Sequence, residues 1–157
     1  NLKMKRFLLI LIFLPIFLFG QGFEKNSISG NILGSSSILG VTYERSLSNH
    51  IIIEFGVGIV GIGAGINYYI SEIKTESWCP YVGLKCSTLA LVDVGGGILT
   101  YIPFGVTFFT SSKLKLNIGA DIGPSYAKWI SSDFMEFEST ETETFSLHGN
   151  LKIGIRF

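Results

Sequence analysis

Charge is what this sequence has least of. Asp, Glu, Lys and Arg make up 15% of its 157 residues and hydrophobic types 47%, whereas a soluble domain carries about 25% charge. Something apolar must cover such a surface. A basic surplus is missing too: beyond Gly20, nine basic residues stand against twelve acidic ones, which excludes the positive stripe that nucleic acid needs. Cysteine is scarce, with Cys79 and Cys86 alone. Neither CxxC nor paired histidine accompanies them, so zinc has no ligand set. On one continuous strand they would lie about 23 Å apart, beyond the roughly 7 Å limit for a disulfide, and on opposite faces. Only a break in the strand, at Pro80, would let them bridge.

Long hydrophobic runs are limited to one. Phe7 to Gly20 follows Lys3, Lys5 and Arg6 and leads into Gly20-Gln21-Gly22, the basic, apolar and small-residue order of an export signal. The run is shorter than the roughly 20 residues of a spanning helix, which disfavours the competing reading of a retained anchor, and no cysteine follows it to carry a lipid. Residues 1–22 are expected to be a signal peptide and 23–157 a single domain.

Glycine and alternation are what is abundant. Nineteen glycines, many inside apolar runs, argue against helices, where each costs close to 1 kcal/mol. The closing stretch, TFSLHGNLKIGIRF, puts Phe145, Leu147, Leu151, Ile153, Ile155 and Phe157 on one face and Ser146, His148, Asn150, Lys152 and Arg156 on the other. A period of two held this long marks a strand between two different environments. It exceeds the roughly 9 to 11 residues that a tilted strand needs to cross a bilayer. The same pattern predicts strands at 28–33, 38–47, 51–60, 62–71, 78–88, 98–110, 113–129 and 144–157, an all-β, eight-stranded antiparallel up-and-down transmembrane β-barrel.

The polar face decides which side looks outward. In a soluble barrel it would meet water and carry many Lys and Glu; here it carries mostly Ser, Thr, Asn and Gly, including Gly56, Gly63, Gly65, Gly105, Gly119 and Gly154. An eight-stranded lumen is just wide enough for side chains, so inward glycines relieve crowding. Charges on the apolar face are confined to Arg45 and Lys128 near strand ends, where lipid exposure tolerates them. Aromatic residues collect toward both ends, Tyr43, Tyr68, Trp78, Phe108 and Phe157 at one and Tyr126, Trp129 and Phe145 at the other, as two interfacial belts would. The tight turns Ser48-Asn49 and 110–112 share a rim with the C-terminus, which makes that rim periplasmic. The acidic connection Ile130–Glu143 then faces outward.

The signal-like start, the run YIPFGVTFF (Tyr101–Phe109) before a short turn, the stretch IGADIGP (Ile118–Pro124) and the terminal strand ending in Phe157 resemble the small outer-membrane β-barrel proteins of Bacteroidota. More broadly they are similar to the eight-stranded OmpA-transmembrane-domain and OmpX-like barrels. The resemblance implies signal-dependent export to the outer membrane of a Gram-negative bacterium, where the chain would contact outer-membrane lipid. It also implies handling by periplasmic chaperones and the barrel-assembly machinery, with Phe157 as an assembly signal. It implies no common activity, and without a C-terminal peptidoglycan-binding domain it implies no tether to the cell wall.

The candidate chemistry lies in the lumen set Glu44, Glu54, Lys85, Lys115, Asp121, His148, Lys152 and Arg156. Antiparallel pairing of the last two strands puts Asp121 beside His148 and Asn150, and Lys115 beside Gly154 and Arg156. Buried charges must be paired, so the set reads as a network that fills and closes the barrel. The alternative is a narrow polar pore, a small-solute or ion channel. A second is a lipid-modifying enzyme with His148 as base and Asp121 orienting it, although no serine stands in a nucleophile context. Gly56–Gly61 matches GxGxxG, but the following residues alternate and provide no helix N-terminus for a pyrophosphate. No catalytic, cofactor or metal site is expected, and the acidic connection lacks an EF-hand pattern. The expectation is a non-enzymatic outer-membrane barrel with a structural or surface-interaction role, meeting any extracellular partner at 130–143.

Overall fold

Strict alternation over long stretches leaves the chain little choice but extended pairing. A computed structural model describes residues 24–157 apart from 37, 92–94, 112 and 133–138; the expected signal peptide lies outside these. The strands are β1 (Asn26–Leu33), β2 (Leu39–Ser46), β3 (Ile51–Gly58), β4 (Gly61–Tyr69), β5 (Ser77–Leu91), β6 (Gly95–Tyr101), β7 (Phe104–Phe109), β8 (Leu116–Ser132) and β9 (Ser139–Arg156), with a 3-10 turn at Gly34–Ser36. Apart from β6 and β7, which each pair with β5 and β8, neighbours in the chain pair antiparallel, and β1 pairs with β9, so the meander closes into a barrel.

Nine segments make eight staves, because β6 and β7 are one stave interrupted. Lys85 faces Tyr101 of β6 and Val82 faces Phe104 of β7, so the register against β5 runs on without a slip. Against β8 it does the same, with Tyr101 opposite Ser125 and Phe104 opposite Ile122. The break falls at Pro103, which has no N–H to give to a ladder. Its carbonyl still accepts from the Gly83 N–H at 2.9 Å. The single strand expected over 98–110 is therefore divided, but its place in the ring is kept.

Register fixes the shape. Following partners around the wall from Gly154 leads through Ser29, Thr42, Gly56, Gly63, Ser87, Leu99 and Ala127 to Thr144, ten residues along β9 from the start. That stagger, shared by eight staves, tilts the strands by about 40°. It also leaves one rim oblique. β8 and β9 stay paired out to Ser132 and Ser139, whereas β1 accompanies β9 only to Leu33, opposite Asn150. Among the described residues, β9 from Ser139 to Gly149 has a strand on one side only.

Three expectations are corrected by this geometry. The acidic connection Ile130–Glu143 is largely strand: Glu141 faces Ile130 and Glu143 faces Lys128, while Asp133, Glu136 and Glu138 lie outside the described residues. Thr140, Thr142 and Thr144 suit a strand, and Glu141 and Glu143 stay exposed, so pairing buries neither charge. Loop length does not separate the rims as expected, because the two-residue connection 59–60 lies opposite the C-terminal rim, whereas the longer 47–50 and 70–76 lie on it. The overhang of β8 and β9 distinguishes the rims instead. The strand expected from Lys113 begins at Leu116, since Lys115 takes a left-handed backbone conformation at φ 46°.

The two faces are sorted as the alternation requires, in reverse of a soluble protein. Phe55, Val57, Ile62, Ile66, Leu84, Phe104, Ile122, Leu151, Ile153 and Ile155 are exposed on the outer wall, while Ser29, Thr42, Asn67, Thr107 and Asn117 are buried within.

Candidate functional site

The interior is built from alternate residues of every stave, and its charges fall into two connected groups. Glu44 on β2 and Glu54 on β3 are register partners, both fully buried. Each meets a lysine from across the lumen. Lys85 on β5 lies 3.2 Å from Glu54 and 3.1 Å from Asp121 on β8, bridging two carboxylates, and Lys152 on β9 pairs with Glu44. Buried hydrogen-bond donors complete the shells. Asn67 donates to Glu54 at 2.8 Å; Ser27 and Asn117 donate to Glu44 at 2.7 and 3.0 Å. Asn150 donates to Asp121 at 2.9 Å, and the Tyr81 and Tyr101 hydroxyls donate to it as well. Each carboxylate thus has both a cation and neutral donors, which buried charge requires.

The expected set is not wholly gathered. Lys115 stands at the rim, 45% exposed, and pairs with Glu24 at 2.5 Å, because its left-handed backbone turns it away from the lumen. Arg156 is buried above the Phe109 ring and donates to the Thr110 carbonyl, with Glu24 at 3.8 Å. The interior proper therefore sets Glu44, Glu54 and Asp121 against Lys85, Lys152 and Arg156. The β8–β9 register lies one residue from the expected one: Asp121 faces Asn150 directly, and His148 faces Gly123. His148 spends Nε2 on the backbone, accepting from the Gly34 N–H at 3.2 Å, and packs edge-on against Tyr101 with 4.7 Å between ring centres. The base and orienting-carboxylate arrangement is not formed.

Glycine is what admits these side chains. A Cβ at Gly65 would lie 2.8 Å from Lys85 Cγ, and one at Gly105 would lie 2.5 Å from Asp121 Cβ. Beside these two glycines there is no room even for a methyl group. At the C-terminal rim a cavity of about 10 Å3 is bordered by Glu24, Glu44 and Arg156, room for a single water at most. The larger hollows, about 750 and 660 Å3, are shallow and lie on the outer wall, sharing Ile32 and Leu151.

At the C-terminal rim, hydrogen bonding from Lys115 holds the Glu24 carboxyl below the usual range. The Ser111 hydroxyl and backbone N–H do the same for exposed Glu76, at 2.7 and 2.6 Å. Aromatic pairs occupy both ends of the outer wall. Trp78 and Phe108 lie 5.1 Å apart near this rim, and Tyr126 and Phe145 lie 5.1 Å apart near the other. Beyond the second pair, Lys128 meets Glu141 at 2.8 Å on the overhang.

Cys79 and Cys86 are free thiols, one buried and one exposed on the outer wall. The GxGxxG match at Gly56–Gly61 spans the β3–β4 hairpin, where no helix begins. No cluster of metal-ligating side chains exists among the described residues. Comparison with protein-family models, with curated proteins and with solved structures returns no match to this chain.

Proposed function

We propose that this protein is an integral outer-membrane barrel of a Gram-negative bacterium, without catalytic activity, serving a structural and surface-interaction role. The observation that carries this reading is the inversion of its two faces. The wall turns isoleucine, leucine, valine and phenylalanine outward around the ring and keeps Lys85, Lys152, Glu44, Glu54 and Asp121 inside. Water would penalise that outer face by roughly 25 cal/mol per Å2 of apolar surface, whereas hydrocarbon would not. Ring closure supports the reading, because backbone in lipid must have no open edge, as do the aromatic pairs at both ends. In this setting the overhang projects outward, and the unpartnered edge of β9 with Glu141 and Glu143 is its contact surface.

The ion pairs that span the lumen disfavour the channel reading. The engagement of His148 by Gly34 gives the enzyme reading no dyad to use. Export by a signal peptide, and assembly through periplasmic chaperones and the barrel-assembly machinery, belong to the same proposal.

Membrane-fraction extraction tests it. The protein should resist alkaline carbonate, need detergent for release, and migrate differently in SDS before and after boiling; release into buffer without detergent would sink the reading. Reconstituted in a planar bilayer, the pure protein should show no ion conductance, and stable unitary currents would revive the channel.

A further inference from the structure

The Gly34–Ser36 turn that follows β1 does not pass over the rim; it turns into the mouth of the barrel. Ser35 is buried, and its carbonyl lies so close over β4 that a Cβ at Gly63 would come within 2.2 Å of it. Gly34 rests on the Asn150 carboxamide, which a Cβ at Gly34 would meet at 2.7 Å. The backbone entering the turn is not at ease. Leu33 and Gly34 both have positive φ, 66° and 81°, and a bulky residue such as leucine rarely adopts that region. Docking holds this turn in place against its own preference. Among the described residues two side chains grip its backbone: Asn31 Nδ2 donates to the Leu33 carbonyl at 2.8 Å, and His148 Nε2 accepts the Gly34 N–H at 3.2 Å; of the two, only the histidine can titrate. Acceptance requires an unprotonated ring nitrogen.

We propose that the Gly34–Ser36 turn is a lid over the outer mouth and that His148 is its proton-sensitive pin. A neutral imidazole holds the lid in, and an imidazolium releases it. Protonating Nε2 replaces the acceptor with a second N–H facing the Gly34 N–H, and the added charge has no free carboxylate to meet. The charged and titratable groups that act on the ring are Asp121 from β8 and Lys85 from β5, with Tyr101 of β6 against its edge. β1 and the turn contribute none, and the neighbouring inward positions on β9 are Ser146 and Asn150. Asp121 is already held by Lys85, Tyr81, Tyr101 and Asn150. Protonation at Nε2 thus opens the lid on acidification and uncovers Asn150, Thr42 and Tyr101. The device does not depend on what surrounds the barrel wall.

Amide hydrogen exchange at Gly34, read by NMR on the full folded chain in micelles, tests this. Protection relative to the intrinsic rate should fall at least about tenfold between pH 7.5 and pH 5. In His148→Gln, whose amide oxygen accepts without titrating, Gly34 should stay protected at both values. In His148→Phe it should be unprotected at both, with far-UV circular dichroism confirming a retained barrel. Equal protection of the unmodified protein at the two pH values would overturn the proposal. So would a drop of the original size in His148→Gln, or full protection in His148→Phe; should that variant not fold, the first two comparisons still decide.

Discussion

Glu44 and Glu54 face each other across the β2–β3 ladder, both sealed from solvent. Two buried carboxylates in register would repel, and the wall stays closed because Lys152 and Lys85 reach them from the far side of the lumen.

Lys85 carries the larger share, since it serves Glu54 and Asp121 together. Replacing it with methionine strands both carboxylates, and breaking a buried pair from one side costs about 3 to 5 kcal/mol. Denaturant unfolding in micelles, followed by Trp78 and Trp129 fluorescence, should show that loss. Adding Glu54→Gln and Asp121→Asn should restore more than half of it. A Lys85→Met loss below about 1 kcal/mol would mean that the network does not hold the wall.

Glycines on the two faces should respond oppositely. A Cβ at Gly154 would come within 2.2 Å of Ser29 Oγ and 2.5 Å of the Ile28 carbonyl, so Gly154→Ala should destabilise by about 1 to 3 kcal/mol. At Gly149 the nearest atom would be the Asp121 carbonyl at 3.4 Å, and at Gly30 the Ile153 carbonyl at 3.9 Å. Alanine there should be neutral or stabilise by up to about 1 kcal/mol through the unfolded chain. Equal effects at Gly154 and Gly149 would contradict the crowding argument.

The Glu24–Lys115 pair predicts a small pH dependence. The folded carboxyl titrates below its unfolded value, chiefly through the Lys115 hydrogen bond, so its contribution is complete above the unfolded value, near pH 4.5. It is lost as pH falls through the depressed folded value. Both partners are partly exposed, which limits the effect to under about 1 kcal/mol. Unfolding midpoints of the unmodified chain and Glu24→Gln should differ at pH 6 and converge on further acidification; a constant difference would refute this.

Phe157 pairs with β1 rather than trailing free: its N–H donates to the Asn26 carbonyl at 2.9 Å, and its carbonyl accepts in return at 3.3 Å. Deleting it removes the last rung of the closing seam. The yield of folded barrel, scored as the fraction that migrates faster before boiling, should drop severalfold, and an unchanged yield would remove its assembly role.

Much of the wall could be read from the sequence because each stave had to answer two environments, and Ile153 beside Lys152 is unambiguous. β1 offers little signal on its outer face, where Gly30 stands between Ile28 and Ile32, yet Ser27, Ser29 and Asn31 line the lumen at every second place. Pro103 within YIPFG was visible as a missing donor, although only the paired registers show that the stave continues past it. Lys115 could not be placed, since one left-handed residue decides where it points and nothing in Lys113-Leu114-Lys115 announces that. The overhang was hidden for a different reason. Thr140 to Thr144 alternates threonine with glutamate, so its two faces differ too little for periodicity to show a strand. The inward turn at Gly34 left no signal beyond a glycine.

Cys79 and Cys86 also gain a meaning that their spacing alone did not suggest. One thiol is shut inside and the other looks out from the wall, so the chain carries a native reporter for each compartment. In the membrane setting proposed above, a lipid-soluble maleimide should find Cys86 while a charged one finds neither, and Cys79 should react only after the ring has opened. Assembly could be timed by its own sulfur, with no engineered label.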